Sequence, residues 1–212
     1  MSNVLLFPGG FKPFHDGHLG ILCSHIFNLD KIHIDEVKIL ISKKGRDFIP
    51  DATDTYNFLM VIKPNIEKAW NIKVSVEICD VLSPIRKCYM LAGDPDNHDM
   101  YSLVSSDKDD DIIRKKDFGA AFAIGGKYYN PEVGEKTMYI NTSVIPVQYR
   151  LRDDFLNHEN ISSTIVRSDI KSNDFYNFKC AYSYMLSNGL VTKEILKEYF
   201  NSLRMYVSDE ND

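Results

Sequence analysis

The sequence predicts an α/β fold: a mainly parallel sheet with helices on both faces and a C-terminal helical extension. Short apolar runs such as Asn3 to Phe7 and Val37 to Ser42 read as buried strands. They alternate with stretches whose apolar residues recur at helical spacing. The last third of the chain reads as helix alone.

In order, Asn3 to Phe7 is a strand that leaves through Pro8-Gly9-Gly10. Leu19, Leu22, Cys23, Ile26 and Phe27 stripe a first helix. Val37 to Ser42 is the next strand, and Phe58, Leu59, Ile62, Ile66 and Trp70 mark a second helix. Lys73 to Cys79 alternates, with Val74, Val76 and Ile78 on one face. Ser83-Pro84 starts a helix to about Ala92, with serine as cap and proline in the first turn. Tyr101 to Ser105 is a strand. Asp107 to Lys116 orders acids before bases, as a helix dipole favours. Phe118 to Ile124 and Val144 to Gln148 read as further strands, separated by a Gly-, Tyr- and Asn-rich loop. Ser162 or Ser163 caps a helix. Phe175, Phe178, Tyr182 and Met185 stripe another that ends at Gly189, and Thr192 caps the last. Residues 1–171 are expected to form the main domain and 172–207 helices on or beside it. Residues 208–212 read as a frayed acidic tail.

The 212 residues are 44% hydrophobic and carry a net charge of −5. That supports one sizeable core and argues against a nucleic-acid partner, which calls for a basic field. Any phosphate site must be a local focus of positive charge. Four cysteines without a Cys-x-x-Cys pair suggest buried, reduced thiols, hence a cytoplasmic protein. No signal peptide or membrane-length apolar run is evident, so no membrane partner is expected.

Ligands of open α/β sheets bind at the carboxyl ends of strands. The first such end carries Gly9-Gly10-Phe11-Lys12-Pro13-Phe14-His15-Asp16-Gly17-His18, leading straight into a helix. Glycine lets backbone approach a phosphate, and a helix start offers unpaired N–H groups. Two imidazoles three residues apart add donors for phosphate oxygens whose charge changes in a reaction. Neither a P-loop nor a Gly-x-Gly-x-x-Gly loop is present. Zinc is a rival reading of His-x-x-His, but no further ligand stands at the expected spacing.

This stretch resembles the Gly-x-Phe-x-Pro-x-His-x-Gly-His signature of the HxGH nucleotidyltransferase superfamily. Ile161-Ser162-Ser163-Thr164-Ile165-Val166-Arg167 is similar to that family's second signature, Ile-Ser-Ser-Thr-x-x-Arg. Read by itself, the second segment offers three hydroxyls at a helix start and a planar guanidinium one turn on, or simply a capped helix with a surface arginine. The resemblance implies a Rossmann-like sheet, both helix starts converging on a triphosphate, and Mg²⁺ held mainly through phosphates.

By that resemblance His15, His18 and Arg167 are the expected catalytic residues. Gly10, Phe11, Lys12, Gly17, Ile161, Ser162, Ser163 and Thr164 are expected to bind nucleotide. Lys43, Lys44 and Arg46 follow the second strand; they either take the acceptor's phosphate or form a solvated basic turn. Arg86 is a further acceptor candidate. Its segment, Ser83-Pro84-Ile85-Arg86, resembles one in nucleotidyltransferase-like proteins of large DNA phages. The family's common Glu-Arg pair is missing near Asp54, Thr55 and Tyr56. Asp107 to Asp111 reads as a solvated helix start or a metal site, and Tyr128, Tyr129 and Asn130 as loop packing or a base platform.

The expected activity is transfer of an NMP group, AMP first, from ATP or CTP to a phosphorylated small molecule, with release of pyrophosphate. Nicotinamide-mononucleotide adenylyl transfer comes first. Cytidylyl transfer to a phosphorylated alcohol or sugar, and a non-catalytic nucleotide-binding module, are the alternatives. An RNA-binding relative of class I aminoacyl-tRNA synthetases is disfavoured by the acidic charge, the short chain and the lack of a Lys-Met-Ser-Lys-Ser-type loop. A homo-oligomer is compatible with everything above.

Overall fold

A computed structural model describes residues 2–27, 33–94, 96–104, 109–131 and 161–208. Among the described residues, four parallel strands form the sheet, β1 (Asn3–Gly9), β2 (Glu36–Ile41), β3 (Lys73–Ile78) and β4 (Met100–Leu103), in the order β3-β2-β1-β4. Helices α1 (Asp16–Phe27), α2 (Thr53–Trp70) and α3 (Pro84–Ala92) connect them, and α4 (Asp109–Phe122) follows β4. Then come α5 (Ser163–Lys171), α6 (Phe175–Cys180), α7 (Ser183–Ser187) and α8 (Lys193–Ser208). The expected strand Val144 to Gln148 and residue Asp107 lie outside the described residues.

Alternation along β1 divides two cores. Leu5 and Phe7 join α1, α2, α5 and the C-terminal helices on one face. Val4 and Leu6 join α3, β4 and α4 on the other. Both faces of β1 are therefore dry, which explains its unbroken apolar run. The C-terminal helices supply Phe178, Tyr182, Met185, Leu196, Tyr199 and Phe200 to the first core, all buried.

Strand order reverses at β1, with β2 on one side and β4 on the other; this is where ligands of such sheets bind. Pairing with β4 ends early. Leu6↔Leu103 is the last pair, and the Leu6 carbonyl accepts from the Val104 N–H at 2.8 Å. Pro8, two residues on, faces the same side, where its missing N–H interrupts no ladder.

Two expectations fail. Phe118 to Ile124 is not a strand: Phe118 and Phe122 are buried one helical turn apart in α4, next to Tyr89 of α3. The stripe from Phe175 to Met185 is not one helix either. It breaks at Ala181-Tyr182 into α6 and α7, because Asp16 reaches across to cap the start of α7. Ser83 stands at the cap position of α3 without a side-chain cap bond, leaving Pro84 as the local start signal. Thr192 caps α8 as expected, accepting the Ile195 N–H at 3.3 Å. Among the described residues, no helix is long and apolar enough to cross a membrane.

Candidate active site

The loop from Gly10 to His15 is held through its backbone. Phe11 takes a left-handed conformation (φ 50°), uncommon for a bulky side chain. Its carbonyl accepts the Thr55 hydroxyl of α2 at 2.7 Å. The Lys12 carbonyl accepts Nη1 of Arg167 at 2.9 Å. Tyr199 of α8 bonds the backbone of Phe14. Three distant elements thus secure the backbone of Phe11, Lys12 and Phe14, so the shape of the loop is a property of the whole fold. The Lys12 side chain is buried, and its Nζ donates to the Ser42 carbonyl at the end of β2 at 2.6 Å. Burial pulls this amine down to about 8, against the nearby charge of Asp51.

The two histidines are locked by backbone donors. Nδ1 of His15 accepts the Gly17 N–H at 3.1 Å, so the ring proton of neutral His15 sits on Nε2. That Nε2 lies 3.2 Å from Oγ of Ser163. Nδ1 of His18 accepts the His15 N–H at 3.3 Å, which likewise assigns its proton to Nε2. The rings stand 4.0 Å apart, with Phe14 stacked on His18 and Phe11 against it edge-on. Burial, then the charges of His18 and Arg167, hold His15 well below its ordinary value, leaving it a neutral donor at pH 7.

Glycine at position 17 is required by this packing. A Cβ there would stand 2.9 Å from Cε1 of His15 and 3.2 Å from the Ile161 carbonyl. At Gly10, which is exposed, an added Cβ meets nothing within 4 Å.

The second motif arrives from the opposite side. Ser162 caps α5, accepting the Ile165 N–H at 3.4 Å, so its hydroxyl is committed to the helix. Ser163 faces His15. Thr164 accepts Nη2 of Arg167 at 3.3 Å. Arg167 is buried, and its Nε donates to Asp47 at 3.3 Å. It is therefore no loose surface fork: it ties α5, the histidine loop and the β2–α2 connection together. Sequence reasoning missed Asp47. Only its place in a polar turn after β2 could have signalled it, and nothing local links it to a residue 120 positions away.

Other candidates are placed as follows. Lys43 is exposed and donates to the Asp80 carbonyl at 2.9 Å, towards β3. Lys44 is exposed, and Arg46 exchanges backbone bonds with Ile49 in a tight turn. Arg86 is exposed near the start of α3, the helix that follows β3. Asp109 to Asp111 open α4, and Asp111 pairs with Arg114. Tyr128 packs on Phe122 at 5.4 Å. Among the described residues, no group of three or more His, Cys, Asp and Glu could hold a metal ion.

No family model matches the chain, and no curated protein matches its sequence. Two solved structures of Plasmodium falciparum nicotinic acid mononucleotide adenylyltransferase do match in shape. The complex with APC aligns at a TM-score of 0.52 and the complex with NaAD at 0.54. Each is 19% identical, over 97% of this chain and 98% of the other. The chain shares the Rossmann-like α/β fold of that adenylyltransferase.

Proposed function

We propose that this protein is a nucleotidyltransferase that moves an adenylyl group from ATP to a pyridine mononucleotide, releasing pyrophosphate. One observation carries the reading: Nε2 of His15 and Oγ of Ser163, at two helix starts 148 residues apart in the chain, meet at 3.2 Å. Two helix N-termini, two imidazole donors and a buried guanidinium form a cradle suited to a polyphosphate. The cradle sits where the strand order reverses.

The reaction is an in-line displacement at the α-phosphorus. A phosphate oxygen of the acceptor forms the new P–O bond as the bond to the β-phosphate oxygen breaks, and pyrophosphate leaves. The acceptor phosphate is already ionised at pH 7, so no general base is required. The protein's task is positioning and charge stabilisation. His15 and His18 donate from Nε2 to oxygens that gain charge in the transition state. Ser163 and Thr164 line the β- and γ-phosphate side, with Arg167 behind them. Magnesium would be held here mainly through the triphosphate oxygens, beside Ser163 and Thr164. When bound it would neutralise charge on those oxygens.

The fold match supports the choice of acceptor, since the P. falciparum enzyme is named for nicotinic acid mononucleotide and was solved with NaAD. The test is a pyrophosphate-release screen of each NTP against phosphorylated acceptors, including nicotinate and nicotinamide mononucleotides. Release is expected with ATP and a pyridine mononucleotide. Release only with CTP and a phosphorylated alcohol or sugar would replace the acceptor and base assigned above. Binding of NTP with no release from any pair would leave a nucleotide-binding module instead.

A further inference from the structure

The geometry points to Asp47 as a positioning residue for the polyphosphate side of the cradle, acting through the Arg167 guanidinium; this rests on the functional reading above. Arg167 has three anchors, and they differ in kind. Nη1 meets the Lys12 carbonyl and Nη2 meets the Thr164 hydroxyl, both within the two motifs. Among the described residues, only Nε meets a charge, Oδ2 of Asp47 at 3.3 Å. Two anchors on the terminal nitrogens leave the plane free to tilt; the third, at Nε, sets it. The other carboxylate oxygen of Asp47 accepts Nζ of Lys171 at 3.1 Å. Lys171 lies one turn beyond Arg167 on α5, so a single carboxylate spaces two cations along one helix face.

Asp47 is itself held for this task. It takes a left-handed conformation (φ 57°), which asparagine, aspartate and glycine adopt more readily than other residues. The turn around it is closed by the paired backbones of Arg46 and Ile49, at 2.8 and 3.2 Å. It lies in the β2–α2 connection, the segment that also carries Lys43 and Lys44. Asp47 therefore links the connection after β2 to the arginine behind the β- and γ-phosphates.

The test measures binding of ATP, ADP and AMP to the full chain carrying Asp47→Gly, Asp47→Asn, Arg167→Ala, or Asp47→Gly with Arg167→Ala. Glycine removes the carboxylate without straining a left-handed backbone, so this variant keeps the turn. Asp47→Gly should weaken ATP about tenfold, the size of one charge-assisted hydrogen bond, and leave AMP unchanged. Asp47→Asn, which keeps an acceptor oxygen, should recover part of the loss. The double variant should bind ATP no more weakly than Arg167→Ala alone, because the two residues act as a unit. In turnover, KM for ATP should rise more than kcat falls. Equal losses for ATP and AMP, or losses that add in the double variant, would overturn the inference. So would ATP binding that is lost in Arg167→Ala but intact in Asp47→Gly. A native chain that binds no nucleotide would overturn the functional reading as well.

Discussion

The Asp16 carboxylate accepts the Tyr184 N–H at 2.7 Å, across 168 residues of chain. Its second oxygen accepts the Met185 N–H at 3.2 Å, and its own N–H donates to the Ala181 carbonyl at 3.0 Å. One fully buried residue, between His15 and Gly17, thus caps the start of α7 and ties the histidine loop to the C-terminal helices. Asp16→Ala would strand two buried N–H groups. At about 1–3 kcal/mol each, it should cost roughly 2–6 kcal/mol, read from the urea midpoint.

The same residue makes a prediction about pH. Burial pushes Asp16 from 3.8 up to about 7, while the two backbone donors hold it down. A carboxyl raised on folding binds more protons in the native state, so its contribution to stability is complete below about pH 4 and is lost as pH rises towards 7. Asp16→Asn removes that slope. Native protein should therefore lose stability relative to Asp16→Asn between pH 4 and 7. Urea midpoints that move in parallel across that range would contradict this.

Gly17→Ala should damage turnover more than folding. Alanine favours a helix, but its methyl would press on the His15 ring and the Ile161 carbonyl. The ring can move and the carbonyl cannot readily do so. We expect kcat to fall by at least about tenfold, as misplacement of a charge-stabilising donor does. A thermal midpoint should show the fold intact.

Gly10→Ala separates ligand space from protein packing. The added methyl meets no protein atom, so stability should change by less than about 0.5 kcal/mol. If phosphate lies over this backbone, ATP affinity should drop while the unfolding curve stays in place. Unchanged ATP affinity would move the phosphate elsewhere.

His15 should act as a neutral donor. Its imidazole is held well below 6.5 and its proton sits on Nε2, facing Ser163. His15→Ala should cost roughly 10²–10³ in kcat. The ratio of native to His15→Ala kcat should stay flat between pH 6.5 and 8, because His15 does not titrate there. A ratio that collapses within that window would show a working imidazolium instead.

Much of this was legible locally. β1, α1, β2 and α2 each carry a period that matches their environment, and the two motifs sit at helix starts as their composition demands. The failures have physical causes. Phe118 and Phe122 sit among small residues whose apolar run fits strand and helix alike, and only the contact with Tyr89 decides for helix. The break between α6 and α7 has no breaker at the break itself; the competing hydrogen bonds come from Asp16. Arg167 was readable as a cation but not as a buried one, because burial depended on Asp47 and the Lys12 carbonyl.

The sequence by itself determined the alternation of strand and helix, the glycine-rich exit from β1 and the chemistry of the two motifs, since periodicity and residue type act over a few neighbours. Tertiary structure alone decided that His15 meets Ser163, that Asp47 orients Arg167 and that Asp16 cuts a helix in two. Those contacts join residues more than a hundred positions apart, and only the packing of helices against a common sheet brings such groups within hydrogen-bonding distance.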